Sequence, residues 1–275
     1  MTQNVSRRSR GFGLLDLVVV VGVLLLVVAF FLPMRTKQRG DSSRVKCSSN
    51  LRQIGQGLLL YSNENRQAYP RVRFDASAPV SYYTGVNDNN PFDGQNDPSP
   101  NDVTAALYLL PRTLDMGTEV FTCPSSQEMK FSPKDTIANY SNFPSQKHLS
   151  FALANPYPTT VADAKGYKWD ATLGPEFAVV ADMGPGVDMS TLTQKSSQND
   201  VRKANSTNHD RDGQNVLFGD GHVEFTSTPL VGVNKDNIYA PAAALVVGKD
   251  GSASLPPGTV PQHADDSVLL PSEKD

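Results

Sequence analysis

Residues 14–32 are nineteen consecutive positions in which every side chain is apolar or glycine except Asp16. With no polar face, the run cannot be an amphipathic surface helix, and at 1.5 Å per residue its length matches a bilayer's hydrocarbon core. It must be buried all round, in protein or in lipid. A short polar leader with Arg7, Arg8 and Arg10 precedes it. Such a leader favours a cytoplasmic N-terminus, although Arg35, Lys37, Arg39, Arg44, Lys46 and Arg52 follow the run and by count alone leave the orientation open. The run is too long for a cleaved secretory signal, and no small-residue cleavage site follows it. A lipoprotein signal would need a cysteine just after the run, and the first is Cys47. A twin-arginine signal prefers an apolar residue where Arg10 stands.

Asp16 is the anomaly. A carboxylate inside a membrane span costs roughly 2.5–3.5 kcal/mol near the centre and less near the edge, so it needs a partner or a purpose. Its neighbourhood, Gly11-Phe12-Gly13-Leu14-Leu15-Asp16, resembles the type IV prepilin signature: a basic leader ending in Gly, then Phe, then an acid fifth after the cut. The resemblance implies cleavage between Gly11 and Phe12 by a prepilin peptidase, with methylation of the new amine. It also implies a helix kink at Pro33, mature position 22, and assembly guided by Asp16. A carboxylate there can neutralise the buried ammonium of a neighbouring subunit. Asp16 stands where the family usually has Glu, and Gly13 where Thr is common.

Beyond Pro33, Cys47, Leu51, Ile54, Leu58 and Tyr61 step by 4, 3, 4 and 3, which is one face of a helix. A stem over about 13–64 follows, with Gly40 its weakest point because glycine costs about 1 kcal/mol relative to alanine. The segment KCSSNLRQIGQGLLLYSNENRQAYP is similar to the stem of a bacterial pseudopilin-like group related to the major pseudopilins of type II secretion.

The rest is acidic. Residues 53–275 carry sixteen Lys/Arg against twenty-six Asp/Glu, while residues 1–52 carry nine against two. An acidic body lacks the clustered cations that phosphate neutralisation needs, so nucleic acid is not a partner. Twenty Gly and twenty Pro mark a loop-rich α+β or β body. Residues 84–101 and 186–214 read as surface excursions, and VTAALYLL as a short helix capped by Asp102 and stopped by Pro111. EFAVVAD reads as a strand and the Pro-rich end from 249 as a loose tail, whose DDSVLL piece can dock. NVLFGDGHVEF reads as a hairpin about Asp220-Gly221, with Phe218 opposite Val223 and Val216 opposite Phe225. With His209 upstream, this stretch resembles the C-terminal element of the same group, a His followed after nine residues by Asp-Gly. Here ten residues intervene.

Chemistry is sparse. Asp210, Asp212 and Asn215 offer oxygens at close spacing, as calcium loops do, which makes calcium the one candidate cofactor, though the full twelve-residue loop is missing. The four histidines show no HExxH spacing, no serine sits in a G-x-S-x-G elbow and no phosphate loop follows a strand, so no enzyme is expected. Cys47 and Cys123 can form one disulfide or remain two buried thiols.

The expected fold is α+β and, by resemblance, pilin-like: a long N-terminal helix, transmembrane in its first half, packed on a small antiparallel sheet with long loops. The organisation is a leader (1–11), a membrane half-helix (12–33), a stem (34–66), a body (67–248) and a tail (249–275). The resemblance implies a single-pass inner-membrane protein with its body in the periplasm, acting as a subunit of a type II secretion or type IV pilus-like filament. Its partners would be prepilin peptidase, other pilin or pseudopilin subunits and membrane lipid. The alternative is a singly anchored binding module for polysaccharide or calcium that uses the signal only for sorting.

Overall fold

The computed structural model describes residues 13–85, 88–187, 189, 192–240 and 260–273, with the backbone alone for 29–39. Gly11, Phe12 and the side chain of Pro33 lie outside the described residues. The chain divides into two units, Met1–Ser42 and Ser43–Asp275.

Helix α1 (Leu14–Glu64) runs without interruption through Pro33 and Gly40, the point where its sequence is weakest. In the first unit the leucines and valines of 14–28 are 45% to 82% exposed. No helix among the described residues is long and apolar enough to cross a membrane, so the transmembrane first half is not supported by them.

The second unit is mixed α and β, built on one small antiparallel sheet of five strands in the order β4-β3-β2-β1-β5. The strands are β1 (Phe151–Ala154), β2 (Ala178–Asp182), β3 (Gln214–Phe218), β4 (Val223–Thr226) and β5 (Leu269–Leu270). Strands β1, β2 and β3 are buried at every position: β1 is wholly apolar, β2 is apolar up to Asp182, and β3 opens with the polar pair Gln214 and Asn215 before its apolar residues. Helix α1 contributes Cys47, Leu51, Ile54 and Leu58 to the core, the stripe that the 4-3-4 spacing predicts, with Tyr61 half-buried at its end. Its glycines permit close approach. A Cβ at Gly55 would lie 3.0 Å from Leu217 Cδ1, and one at Gly57 would lie 2.5 Å from Met116 Sδ.

Helix α2 (Val103–Leu114) starts where its cap was read, with Asp102 accepting from the Ala105 N–H at 2.8 Å. It does not stop at Pro111. The proline removes one N–H, yet the helix continues to Leu114 and ends on Asp115 in the left-handed region. Helices α3 (Thr160–Ala164) and α4 (Gln198–Ala204) are short.

Two further readings need correction. The stretch 186–214 is not simply a surface excursion, because it carries α4 and ends in buried Asn205, Ser206, Asn208 and His209. In the tail from 249 the DDSVLL piece does dock, as its reading allowed: Val268, Leu269 and Leu270 are buried, and Leu269 and Leu270 pair with β1 as the fifth strand, so that end is not loose.

Candidate functional site

The C-terminal element and the stem meet in one buried cluster. Cys47 opens the buried stripe of α1, and Cys123 follows a 3-10 turn (Thr118–Phe121), its N–H held by the Ser150 hydroxyl. The two form a disulfide with Cα atoms 5.0 Å apart and 76 positions separating them in sequence.

Asp182, the last residue of β2, lies fully buried beside this bridge. Its Oδ1 accepts from Asn208 Nδ2 at 3.1 Å, and its Oδ2 accepts from the Asn215 N–H at 2.7 Å and Asn215 Nδ2 at 3.0 Å. His209 Nε2 reaches the same oxygen at 3.1 Å. A buried carboxylate is tolerable only with such a full set of donors, because each missing one would leave its desolvation uncompensated. The other imidazole nitrogen, Nδ1, lies 3.0 Å from Ser125 Oγ, which in turn is 3.1 Å from Cys123 Sγ. The His209 ring meets Phe225 edge to face at 5.7 Å.

Local sequence explains how His209 arrives there. It ends a 3-10 turn (Thr207–His209) capped by Ser206, after which Asp210 and Arg211 adopt positive φ and turn the chain into β3. Beyond β3 the chain reverses through Gly219, Asp220 and Gly221. Gly221 has φ +87°, which a side chain would resist, and its N–H donates to the Phe218 carbonyl. Asp220 Oδ1 accepts from the His222 N–H at 3.0 Å, and these hydrogen bonds from His222 hold its carboxyl below the usual range. The turn therefore has three residues rather than two, and the register moves by one from the sequence expectation. Leu217 pairs with Val223, Val216 with Glu224 and Asn215 with Phe225. That shift puts Asn215, Leu217, Val223 and Phe225 on one face, where Leu217 approaches Gly55 and Phe225 lies beneath the Arg44 guanidinium at 4.4 Å. Arg44 also pairs with Asp212 at 2.8 Å.

Of the residues singled out in the sequence, Cys47, Cys123, His209 and Asn215 thus converge, while Asp220 and Gly221 serve the turn at the far end of the hairpin. His222 stands there too, stacked on Phe218, and shares no site with His209. Asp210, Asp212 and Asn215 do not converge as a calcium loop would require. Asn215 turns inward to Asp182, and Asp212 turns outward to Arg44 and Arg202. Residues missed from sequence are Asp182, Ser125 and Asn208, which no motif marks. Asp182 at the polar end of an apolar strand was the only available signal.

Ligand atoms of Cys47, Cys123, Asp182 and His209 lie within 4.8 Å of one another, a donor set that would suit a soft divalent metal. With the sulfurs bonded to each other neither is a thiolate, so the cluster is a covalent and hydrogen-bonded clamp of the C-terminal element on the helix. Ser125 Oγ, His209 and Asp182 thus form a line of polar contacts beside the disulfide, 3.0 Å from Ser125 Oγ to His209 Nδ1 and 3.1 Å from His209 Nε2 to Asp182 Oδ2. No protein-family model, no curated protein and no solved structure matches the chain.

Proposed function

We propose that this chain is a prepilin-like subunit, cut after Gly11 and held in the inner membrane by the first half of α1, with its body in the periplasm. It joins other pilin or pseudopilin subunits in a type II secretion or type IV pilus-like filament, and is a substrate of prepilin peptidase rather than an enzyme. The observation that carries this reading is the exposure of the apolar side chains over 14–28, on a helix whose later residues 47–58 are core. So much exposed leucine and valine is an interaction surface, for lipid or for like helices. The pilin-like architecture follows from the same division of labour along α1.

Asp16 supports the assembly role. Its Oδ2 accepts from the Gly13 N–H at 3.0 Å, so within one chain it caps its own helix terminus. In an array the amine of Phe12 on a neighbour is a stronger, charged donor for the same carboxylate. The disulfide supports an oxidising compartment for the body.

The test is the N-terminal sequence and mass of the membrane-extracted protein made with a prepilin peptidase, beside Gly11→Ala. A start at Phe12, with or without one added methyl, that vanishes in the variant is the expected result. An intact Met1 terminus, or a start beyond Leu32, would overturn it. Crosslinking of mature chains then separates filament from solitary anchor: a filament requires multimers that Asp16→Asn depletes.

A further inference from the structure

Among the described residues, one group of His, Cys, Asp and Glu side chains converges at metal-ligand spacing: the ligand atoms of Cys47, Cys123, Asp182 and His209 all lie within 4.8 Å of one another. Bonded, the two sulfurs are no ligands. Freed, they complete a tetrahedral set, since two thiolates, an imidazole and a carboxylate are the donor types that zinc takes in closed sites. An ion about 2.0–2.3 Å from each donor sets neighbouring ligand atoms roughly 3.3–3.8 Å apart. His209 Nε2 already lies 3.1 Å from Asp182 Oδ2 and 3.9 Å from Cys123 Sγ. Only the sulfurs must part, to about 3.8 Å, which rotation about two Cα–Cβ bonds supplies.

The surrounding groups are placed as the outer shell of a metal site requires. Ser125 Oγ holds His209 Nδ1 at 3.0 Å, which leaves Nε2 facing the sulfurs and Asp182. Asn208 Nδ2 holds Asp182 Oδ1 at 3.1 Å, which leaves Oδ2 facing Nε2. Asn215 Nδ2 lies 3.1 Å from Nε2 and 3.0 Å from Oδ2, so the positive end of an amide dipole stands where a cation would meet both. Ser125 is half-buried, and its Oγ lies 3.1 Å from Cys123 Sγ and 3.9 Å from Cys47 Sγ, which brings solvent to within one side chain of the sulfurs.

We propose that, when the Cys47–Cys123 bond is reduced, this cluster holds one zinc ion through both thiolates, His209 Nε2 and Asp182 Oδ2. The reductant is a dithiol, which passes two electrons and two protons to the bridge and becomes a disulfide, while the S–S bond breaks to two thiols. Zinc then displaces those two protons to solvent as the thiolates bind it. Asn215 Nδ2 gives way to the ion, and the Asn215 N–H stays on Asp182 Oδ2. A disulfide oxidant runs the exchange backward, closing the bridge and expelling zinc. Either form joins α1 to the turn after Phe121, so the helix stays fixed to the body in both redox states. All four ligands lie within residues 43–275, and the inference rests on neither processing nor assembly.

The experiment uses the full-length protein in detergent micelles, reduced anaerobically by a phosphine, which brings no competing thiolate. Water supplies the oxygen of the phosphine oxide and the two thiol protons. Zinc chloride is then titrated against a chromophoric chelator, with the oxidised parent beside the reduced one. One ion per reduced chain and none per oxidised chain are expected. His209→Gln should weaken binding at least about tenfold, since losing a ligand costs no less than losing an outer-shell partner. Cobalt in place of zinc should give thiolate-to-metal charge-transfer absorption in the reduced native chain that vanishes on reoxidation, a readout independent of any variant's folding. Gly11→Ala should bind as the parent does, even if processing fails. A reduced chain that takes up no zinc, an oxidised chain that binds equally well, cobalt spectra without thiolate bands, or a folded His209→Gln that binds as the parent does would each overturn the assignment.

Discussion

Breaking the Cys47–Cys123 bridge is the most direct test of the clamp, and its size can be worked from the chain. The cysteines stand 76 positions apart, and loop-closure entropy for a ring of that size amounts to about 4.5 kcal/mol at 25 °C. The native side should change little in Cys47→Ser/Cys123→Ser, because the oxygens replace sulfur with less volume and Ser125 and His209 remain as hydrogen-bond partners. With a urea dependence of about 3 kcal/mol per molar, the unfolding midpoint should drop by roughly 1.5 M. The assay is urea unfolding of the detergent-extracted protein, followed through Trp169, with the double variant and the dithiol-reduced parent run beside the oxidised parent. Both should lose the same amount. A drop below about 0.3 M would refute the reasoning, since the loop could not then be free in the unfolded chain, and the clamp would have to rest on Asp182 and His209.

Other consequences follow from the same contacts. Asp182→Asn replaces a fully paired buried carboxylate by an amide that must face donors. It should cost about 3–5 kcal/mol in urea unfolding, with strong coupling to His209→Gln in a double-mutant cycle. Gly55→Leu should cost about 1–3 kcal/mol in the same assay, because even a Cβ there stands 3.0 Å from Leu217. Glu273, bonded to Thr207, has its carboxyl raised above the usual range chiefly by burial. The folded state therefore holds that proton more tightly than the unfolded one, and stability from this group is present below pH 4.5 and lost as pH rises through the higher folded value. Melting curves of Glu273→Gln against the parent should show the variant gaining between pH 4 and pH 7, and a constant difference would contradict the burial argument.

What could be read from sequence was what local periodicity and chemistry determine. The Cys47 to Leu58 stripe, the Asp102 cap and the strand at 178–182 depend on neighbours within a few positions, and each is in place. The hairpin was legible in kind but not in register. Asp220-Gly221 serves a two-residue or a three-residue turn equally well, and the bonds from Phe218 N–H to the His222 carbonyl and from Gly221 N–H to the Phe218 carbonyl distinguish them. That single position decides which face carries Phe225 and Asn215, and hence whether the element can reach Arg44 and Asp182. That the DDSVLL piece docks was legible, but its place beside β1 was not, since pairing across more than a hundred residues leaves no local trace.

The site shows the same division. His209 was visible through its spacing to Asp220, but spacing along the chain says nothing of Asp182, Ser125 or Cys47, which come from a strand end, a turn and the stem. Their convergence gives the element a physical purpose that the motif alone lacks. The disulfide ties α1 to the turn after residue 121, Asp182 ties β2 to His209 and Asn215, and Arg44 ties α1 to Asp212 and Phe225. If α1 is the part of the chain that neighbouring subunits grip, any load on the filament reaches the body through residues 44–58. A hydrophobic stripe alone resists sliding poorly, because it is non-directional. The covalent bond and the charged, directional contacts around it lock the helix in one rotation and one translation. A Cys47→Ser/Arg44→Ala chain should therefore still be processed and still reach the membrane, yet yield filaments whose bodies are lost to limited proteolysis. Full protease resistance in that variant would show that apolar packing alone carries the load.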